Sequence, residues 1–459
     1  MWNANNGSAG RLALMGLVAV LAMWIALGAG AAEPAAEPDP NAVDDEVVTA
    51  TNRPIRATQG LVLTVDQNEG DLRGNDDKII QAGIEYLNRL GGGTLRLGPG
   101  TYVLHNSIYL SSNITLQGTG RRTILRKTPS VVTPLVRDSD WFEYGVQVED
   151  PTGFVPGGAI MLRTQTGPED WQYDILQATV TAIRDDVIYL DGPTQENFWV
   201  DDEATAATIF PLLVAEGVEN VAIEDLVLDG NRRQNEHVNG NFAGAVFIQN
   251  CSNWRFENVV ARDYNGDGFS FQACDDIEFV RCEALNNADL GFHPGSGSQR
   301  PGFDHCLARG NDEGIFFCWS VSDGVVADCT LAENKLYGIN IGHRDTDNLI
   351  VGCTFERNGQ VGILFRQEST AFRGGHRNRI EQCTFRDNGT GPTGIGVDIQ
   401  GRTQDITISG SRFENTAEGM LRVGIRISKN AQRIVLEGNT FANVPTEIQD
   451  RRLTTIQSK

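Results

Sequence analysis

From about residue 220 onward, apolar and variable positions alternate in short runs, and the runs recur. Aligned on one column they read Val221-Ala-Ile-Glu-Asp-Leu226, Trp254-Arg-Phe-Glu-Asn-Val259, Ile277-Glu-Phe-Val-Arg-Cys282 and Gly302-Phe-Asp-His-Cys306. The series continues with Val325-Val-Ala-Asp-Cys329, Leu349-Ile-Val-Gly-Cys353, Ile380-Glu-Gln-Cys383, Ile406-Thr-Ile-Ser-Gly-Ser411 and Ile434-Val-Leu-Glu-Gly-Asn439. Successive column residues lie 33, 23, 24, 23, 24, 30, 28 and 28 positions apart. Alternation with period two is the mark of a strand with one buried face. Units this short hold two or three strands and leave no room for crossover helices. Repeated, they predict a solenoid of parallel strands.

Each unit also carries a strand led by glycine: Gly268-Phe-Ser-Phe, Gly291-Phe-His-Pro, Gly314-Ile-Phe-Phe, Gly338-Ile-Asn-Ile, Gly362-Ile-Leu-Phe and Gly424-Ile-Arg-Ile. Asn287, Asn311, Asn334, Asn358 and Asn388 each follow a cysteine of the column by five residues. An asparagine stacked at a turn serves the backbone of its own coil and the next, so this ladder is structural.

These repeats resemble the right-handed parallel β-helix superfamily of pectate lyases, polygalacturonases and alginate C5-epimerases. The first coils support the likeness. An amphipathic stretch, Asp76 to Leu90, precedes Gly91-Gly-Gly-Thr-Leu-Arg-Leu-Gly-Pro-Gly-Thr-Tyr-Val-Leu104 and Ser112-Asn-Ile-Thr-Leu-Gln-Gly-Thr-Gly120. In the superfamily such a segment caps the barrel. The expected fold is all-β: a single-stranded right-handed parallel β-helix with an N-terminal capping helix and a small inserted β-module. The repeat is lost between Trp141 and Phe210, where Gly145-Val-Gln-Val, Ala159-Ile-Met-Leu and Ala178-Thr-Val-Thr-Ala-Ile read as strands of that module. Asp229-Gly-Asn231 then returns to the solenoid through a turn.

The first residues read as an address. Arg11, the apolar run Leu12 to Leu27 and the small residues Gly28 to Ala32 have the layout of a secretory signal, with cleavage expected before Ala32 or Glu33. The alternative is an uncleaved anchor. The expected divisions are a signal peptide at 1–32, an Ala/Pro/acid-rich linker at 33–52, the cap and first coils at 53–140, the inserted module at 141–210, the repeats at 211–450 and a tail at 451–459. A secreted, periplasmic or cell-surface location follows. The 459 residues carry 38 Lys and Arg against 60 Asp and Glu, a net charge of −22. So acidic a chain does not suit nucleic acid or an anionic membrane. A monomer is expected.

Eight cysteines in an exported chain first suggest disulfides. The repeat argues otherwise. Cys282, Cys306, Cys329, Cys353 and Cys383 share one inward column, where neighbours stand ~4.8 Å apart, wider than the ~3.8 Å a disulfide prefers between Cβ atoms. A buried thiol stack is expected, and a ladder spread along an axis does not converge on a metal. The pattern leaves Cys251, Cys274 and Cys318 undetermined.

Residues facing outward on the Gly-led strands are Ser270, His293, Phe316, Asn340 and Leu364, then Gln272, Gly295, Cys318, Gly342 and Arg366. Beyond them come Trp319, His343, Arg344, Asp345 and Glu368. The longest coil adds Arg373, His376, Arg377 and Arg379. Outward Asp, Asn and Arg on a solenoid are ordinarily solvated ladders or turn formers. His343 and His293 stand out because the chain has only six histidines. Lysis or C5-epimerisation of a uronate needs its carboxylate neutralised, a base for the C5 proton and an acid for the leaving oxygen or the opposite face. Arg344 and Arg366 suit the first task, with Ca²⁺ left open as an alternative, and His343 and His293 the proton transfers. Trp319, Asp345, Glu368, Arg373 and Arg377 are the expected substrate contacts. Hydrolysis would instead need two facing carboxylates, for which Asp267, Asp289, Asp312 and Glu313 are candidates.

Family motifs match only in part. The Asp-Pro-His-Asp stretch of alginate epimerases is replaced by Gly291-Phe292-His293-Pro294, which lacks both aspartates. The polygalacturonase set is reduced to the fragments Gly342-His343-Arg344 and Arg426-Ile427-Ser428, and the Arg-x-Pro-x-x-Arg of pectate lyases is absent. The resemblance implies a polysaccharide or oligosaccharide partner. The expected function is a lyase or epimerase of an acidic polysaccharide, with a glycoside hydrolase or a non-catalytic glycan-binding β-helix as alternatives.

Overall fold

The computed structural model describes residues 60–453 other than 170–171, 391–392 and 417–418. The signal sequence and the acid-rich linker lie outside the described residues. Three long parallel sheets run the length of the molecule, one of 13 strands and two of 11 among the described residues. Each coil adds one strand to each sheet, as Asp275–Val280, Glu283–Leu285 and Leu290–Pro294 do in one turn of the chain. This is the parallel β-helix that the 24-residue period predicts.

The core is built from like residues stacked on like. Phe256, Phe279 and Phe303 stack with centroids 4.8 and 5.2 Å apart, and Phe269 lies 5.0 Å from Phe292. Phe355, Phe385, Phe413 and Phe441 continue the pattern. Such offset stacks add to the area that the rings bury. All five column cysteines are buried and free. Four of the thiols donate to carbonyls of the preceding coil, among them Cys306 Sγ to Phe279 O at 3.4 Å and Cys353 Sγ to Val326 O at 3.3 Å, while Cys282 donates to Val280 O of its own coil.

The asparagine ladder explains the Gly-led strands. Asn287 donates its backbone N–H and its side-chain amide to Asn311 Oδ1, both at 3.0 Å, and Asn311 repeats this toward Asn334. A Cβ at Gly268 would come within 2.6 Å of Gly291 O and 2.7 Å of Asn287 Nδ2. Only glycine lets the strand pass so close to the ladder.

The helix Asp77–Arg89 closes one end. Asp76 caps it by accepting from Ile79 N at 3.2 Å. Its buried face, Ile80, Ile84 and Leu87, covers the first coil, and Gly83 lets the helix settle on Leu95. No helix among the described residues is long and apolar enough to cross a membrane.

The inserted module is a six-stranded sheet drawing on Val132–Pro134 through Thr205–Ala207. It leaves from one coil and returns to the same coil. Strand Thr123–Lys127 before it pairs with Val227–Asp229, and Ile108–Tyr109 pairs with Leu213–Glu216 after it, so the solenoid stacks without a gap. At Asp229-Gly-Asn231 the chain turns with Asn231 left-handed (φ 50°) and its N–H on Asp229 Oδ1 at 3.0 Å.

Candidate functional site

The outer face of the third sheet carries two columns of side chains. One runs Phe247, Ser270, His293, then Phe316, Asn340, Leu364 and Asp398. The other pairs Gly244 with Asp267, and Leu290 with Glu313, Tyr337, Val361 and Ile395 in turn. Both columns point away from the core, yet much of the face is covered. The segment between Val227–Asp229 and Gly244–Gln249 folds over it, and Ser270 Oγ donates to Gly240 O at 3.0 Å. Gly240 lies against the Asp267 carboxylate so closely that a side chain there would collide with it.

His293 is therefore not the solvent-facing residue that the strand alternation suggests. It is 2 % exposed, with Nδ1 2.6 Å from Asp267 Oδ2 and its ring edge-on to Phe316 at 5.5 Å. Asp267 Oδ1 accepts from Leu290 N at 3.0 Å. Nε2 of His293 is buried without a hydrogen-bond partner. Burial alone would push this imidazole down. The Asp267 carboxylate outweighs burial by charge and by hydrogen bond, with a further contribution from the Cys318 thiol, and holds it up at about 10.

One coil on, Glu313 is also buried, and Asn340 Nδ2 donates to its Oε2 at 2.9 Å. Burial raises its carboxyl to about 7, against the pull of Asn340, Arg366 and His293. Arg366 lies over Phe316, 4.6 Å from the ring centre. Its guanidinium donates to Phe317 O at 3.0 Å, Asn340 Oδ1 at 3.1 Å and Asp345 Oδ2 at 3.1 Å. Asp345 is fully buried and also accepts from Val321 N and Gly342 N. These contacts correct two expectations. Asp345 is a brace inside the turn and offers no surface to a substrate, and Arg366 spends its guanidinium on Asp345 rather than presenting it outward.

His343 stands in the turn past its strand, not in the column of His293. His343 and Arg344 are both left-handed (φ 37° and 71°), as are Trp319 and Ser320 (φ 60° and 67°) one coil earlier. The two turns stack, and Trp319 lies 4.3 Å from His343 at 18°. Glu368 accepts from His343 N at 2.9 Å, with its other oxygen 3.5 Å from Nδ1. Burial, then the charges of Arg344, Arg373 and Arg366, lower the His343 pKa against the opposing pull of Glu368. Arg344 donates to Ser320 Oγ at 2.9 Å and lies over Phe372, which is 75 % exposed. Arg373 is exposed beside them, and Arg377 is paired with Asp347 at 2.7 Å. Trp319, His343, Arg344, Phe372 and Arg373 thus share a ledge, while Arg377 is already neutralised.

Two remaining carboxylates sit at the rim. Asp289 meets His237 Nε2 at 2.8 Å, and Asp312 is paired with Lys335. Burial raises the Asp289 pKa against the pull of His237. Where the inserted module meets the solenoid, a cleft of about 310 Å³ is lined by residues including Tyr173, Asp174, Phe242, Phe247 and Gln249, one coil from Ser270 and Gln272. A separate exposed trio, Asp304, His305 and Asp328, brings three ligand atoms within 4.8 Å of one another and is the one group among the described residues with metal-binding spacing. Cys318, which strand alternation places in the outward column of Gln272 and Arg366, is partly exposed, unlike the seven buried cysteines.

A family model described as right handed beta helix region matches residues 243–373. Among solved structures, a protein of Geobacillus virus E2 (ORF18) aligns at 15 % identity over 84 % of this chain and 62 % of its own, with a TM-score of 0.50. The A-module of a mannuronan C-5 epimerase of Azotobacter vinelandii aligns at 17 % identity over 81 % of this chain and 91 % of its own, TM-score 0.49. A protein described as a glycoside hydrolase aligns at 10 % identity over 86 % and 98 %, TM-score 0.49. At such identities the likeness is one of fold. No curated protein matches the chain.

Proposed function

We propose that this right-handed parallel β-helix is an exported carbohydrate-active enzyme that lyses or C5-epimerises an acidic, uronate-containing polysaccharide on the outer face of its third sheet. The observation that carries the reading is that His293 and Glu313, both buried, lie on adjacent strands of this face, Glu313 opposite Leu290. The imidazole is held charged by Asp267, and the carboxyl is held near 7. Together they are an acid and a base whose working ranges include neutral pH. Ionised Glu313 takes the C5 proton. His293 gives a proton to the leaving oxygen, or to the opposite face in epimerisation. Arg344 on the ledge meets the uronate carboxylate, a task for which Arg366 is already engaged. Trp319, half exposed, offers a sugar its flat face. The apolar run Leu12 to Leu27 supports export.

A panel of uronate polysaccharides tests this. Ultraviolet absorbance of an unsaturated uronate, or solvent deuterium entering C5, is expected on one of them and is lost in Glu313→Gln. A panel with neither signal overturns the reading. A hydrolase is the second reading, because Asp267 and Glu313 stand two coils apart on one column. That is ~9.6 Å by strand spacing, at the upper end of the ~6.5–9.5 Å of inverting enzymes. New reducing ends without the absorbance would favour it.

A further inference from the structure

The cleft of about 310 Å³ between the inserted module and the solenoid has no part in the chemistry proposed above. Its volume is at the low end of the ~300–1,000 Å³ of small-molecule sites. Strand Tyr173–Arg184 forms one wall. Alternation turns Tyr173, Ile175 and Gln177 to the same side, and all three line the cleft. Phe242 lines it from the segment that covers the third sheet. This ring is anchored through its backbone: Gln177 Nε2 donates to Phe242 O at 2.7 Å, and Phe242 N donates to Asn239 O at 2.9 Å. Phe247 and Gln249 of strand Gly244–Gln249 supply the solenoid side. Phe247 stands in the outward column of Ser270 and His293. The cleft thus adjoins the proposed reaction face, two strand spacings or ~9.6 Å from His293.

Tyr173 and Phe242 are half-buried rings and offer flat apolar surface to the C–H face of a pyranose. Asp174 and Glu196 supply acceptors for hydroxyl groups, and Gln249 supplies an amide. The charge of the lining has one sign. Asp174 and Glu196 are part of it, and no lysine, arginine or histidine is. In the adjoining recess Arg163 is spent on Glu236, and His237 is paired with Asp289. A uronate unit in the cleft would set its carboxylate against two others, whereas an uncharged unit would meet partners for its hydroxyls. The ledge of Arg344 and Arg373 has the opposite character. We propose that the cleft is a subsite for an uncharged pyranose unit, and that the polymer is a heteropolysaccharide in which a neutral sugar flanks the uronate. The second half rests on the uronate reading; occupation of the cleft by a neutral sugar does not.

Saturation-transfer NMR on the full chain tests the subsite, with cellotetraose, mannotetraose, xylotetraose and maltotetraose as neutral probes and trigalacturonate as the anionic one. At least one neutral probe should bind. Its Kd should rise roughly tenfold in Tyr173→Ala, as expected when a stacking ring is lost, and stay unchanged in Glu313→Gln. Trigalacturonate should not displace it from the unaltered protein, but should do so once Asp174→Lys and Glu196→Lys are combined. The subsite is overturned if no neutral probe binds, if Tyr173→Ala binds it unchanged, or if trigalacturonate displaces it from the unaltered protein. The competition in the unaltered protein needs no variant, so a misfolded Tyr173→Ala leaves the test intact. On the polymer turned over, mass spectrometry of the fragments should show a neutral unit beside the altered uronate. A pure polyuronate as the preferred substrate overturns the second half. Neutral binding with no turnover of any uronate polymer would sink the uronate reading and leave the subsite standing.

Discussion

The Trp319 indole lies nearly parallel to the His343 imidazole, ring centres 4.3 Å apart, because two left-handed turns stack in consecutive coils. Burial and neighbouring arginines lower the His343 pKa, so the pair presents an uncharged flat surface at neutral pH beside the cationic Arg344 and Arg373. On the proposed reading, the ledge would hold a sugar chain rather than move protons.

Trp319→Ala and His343→Ala should therefore each raise KM several-fold on a polysaccharide substrate and leave kcat within about twofold. Melting temperature should hardly move, since neither ring packs in the core. Steady-state kinetics with a melting curve checks this, and a collapse of kcat with unchanged KM in His343→Ala would return that histidine to the chemistry.

Glu313→Gln should remove the proton acceptor. In the unaltered protein, activity should rise with pH through about 7 as this carboxyl ionises. In the variant, residual activity should lack that rise and fall by roughly 100-fold or more. A pH–rate profile of both proteins decides it.

The Asp267–His293 pair should make stability pH-dependent. The folded imidazole keeps its proton up to about 10, while an unfolded one releases it near the ordinary 6.5. The pair's contribution is full below 6.5 and is lost as pH climbs to 10. Denaturant titrations of the unaltered protein and His293→Gln should converge across that window.

Lys127 should act with the opposite sign. Its amine is wholly buried, 4.9 Å from the ring centres of both Phe210 and Tyr264, and donates to Asn265 Oδ1 at 3.2 Å. Burial lowers it from 10.5 to about 7. Between those values the unfolded chain binds a proton that the folded one does not, so stability rises with pH. Lys127→Met should abolish that slope, measured as the difference between the two proteins' unfolding free energies at pH 7 and 10.

Cys329→Asp should unfold the solenoid or lower its stability by roughly 4 kcal/mol or more, since the core offers the carboxylate no counter-charge. Cys329→Ala should cost about 1 kcal/mol. Thermal melts distinguish them.

The fold was legible because a β-helix writes its period into the sequence. The cysteine column, the asparagine ladder and the Gly-led strands each mark one position per coil, and the Gly-led strands and asparagines stack rung on rung. The site was less legible because its decisive contacts break the period. Strand alternation correctly turned His293 away from the core, but the cover over this face comes from the non-repeating segment near Gly240. Arg366 and Asp345 lie 21 residues apart in sequence, and their pairing depends on how one turn folds back beneath the next coil.

The thiol column has a bearing on how the chain reaches its native state. Cys282, Cys306, Cys329, Cys353 and Cys383 are separated by only one coil each, and all remain reduced once sealed inside. Before sealing, every neighbouring pair is a short loop's length from cross-linking. In an oxidising compartment, biogenesis becomes a race between coil closure and thiol oxidation. A bond formed between two rungs too early would pin the growing barrel in the wrong spacing. Yield should then depend on redox buffer during refolding far more than on redox buffer afterwards.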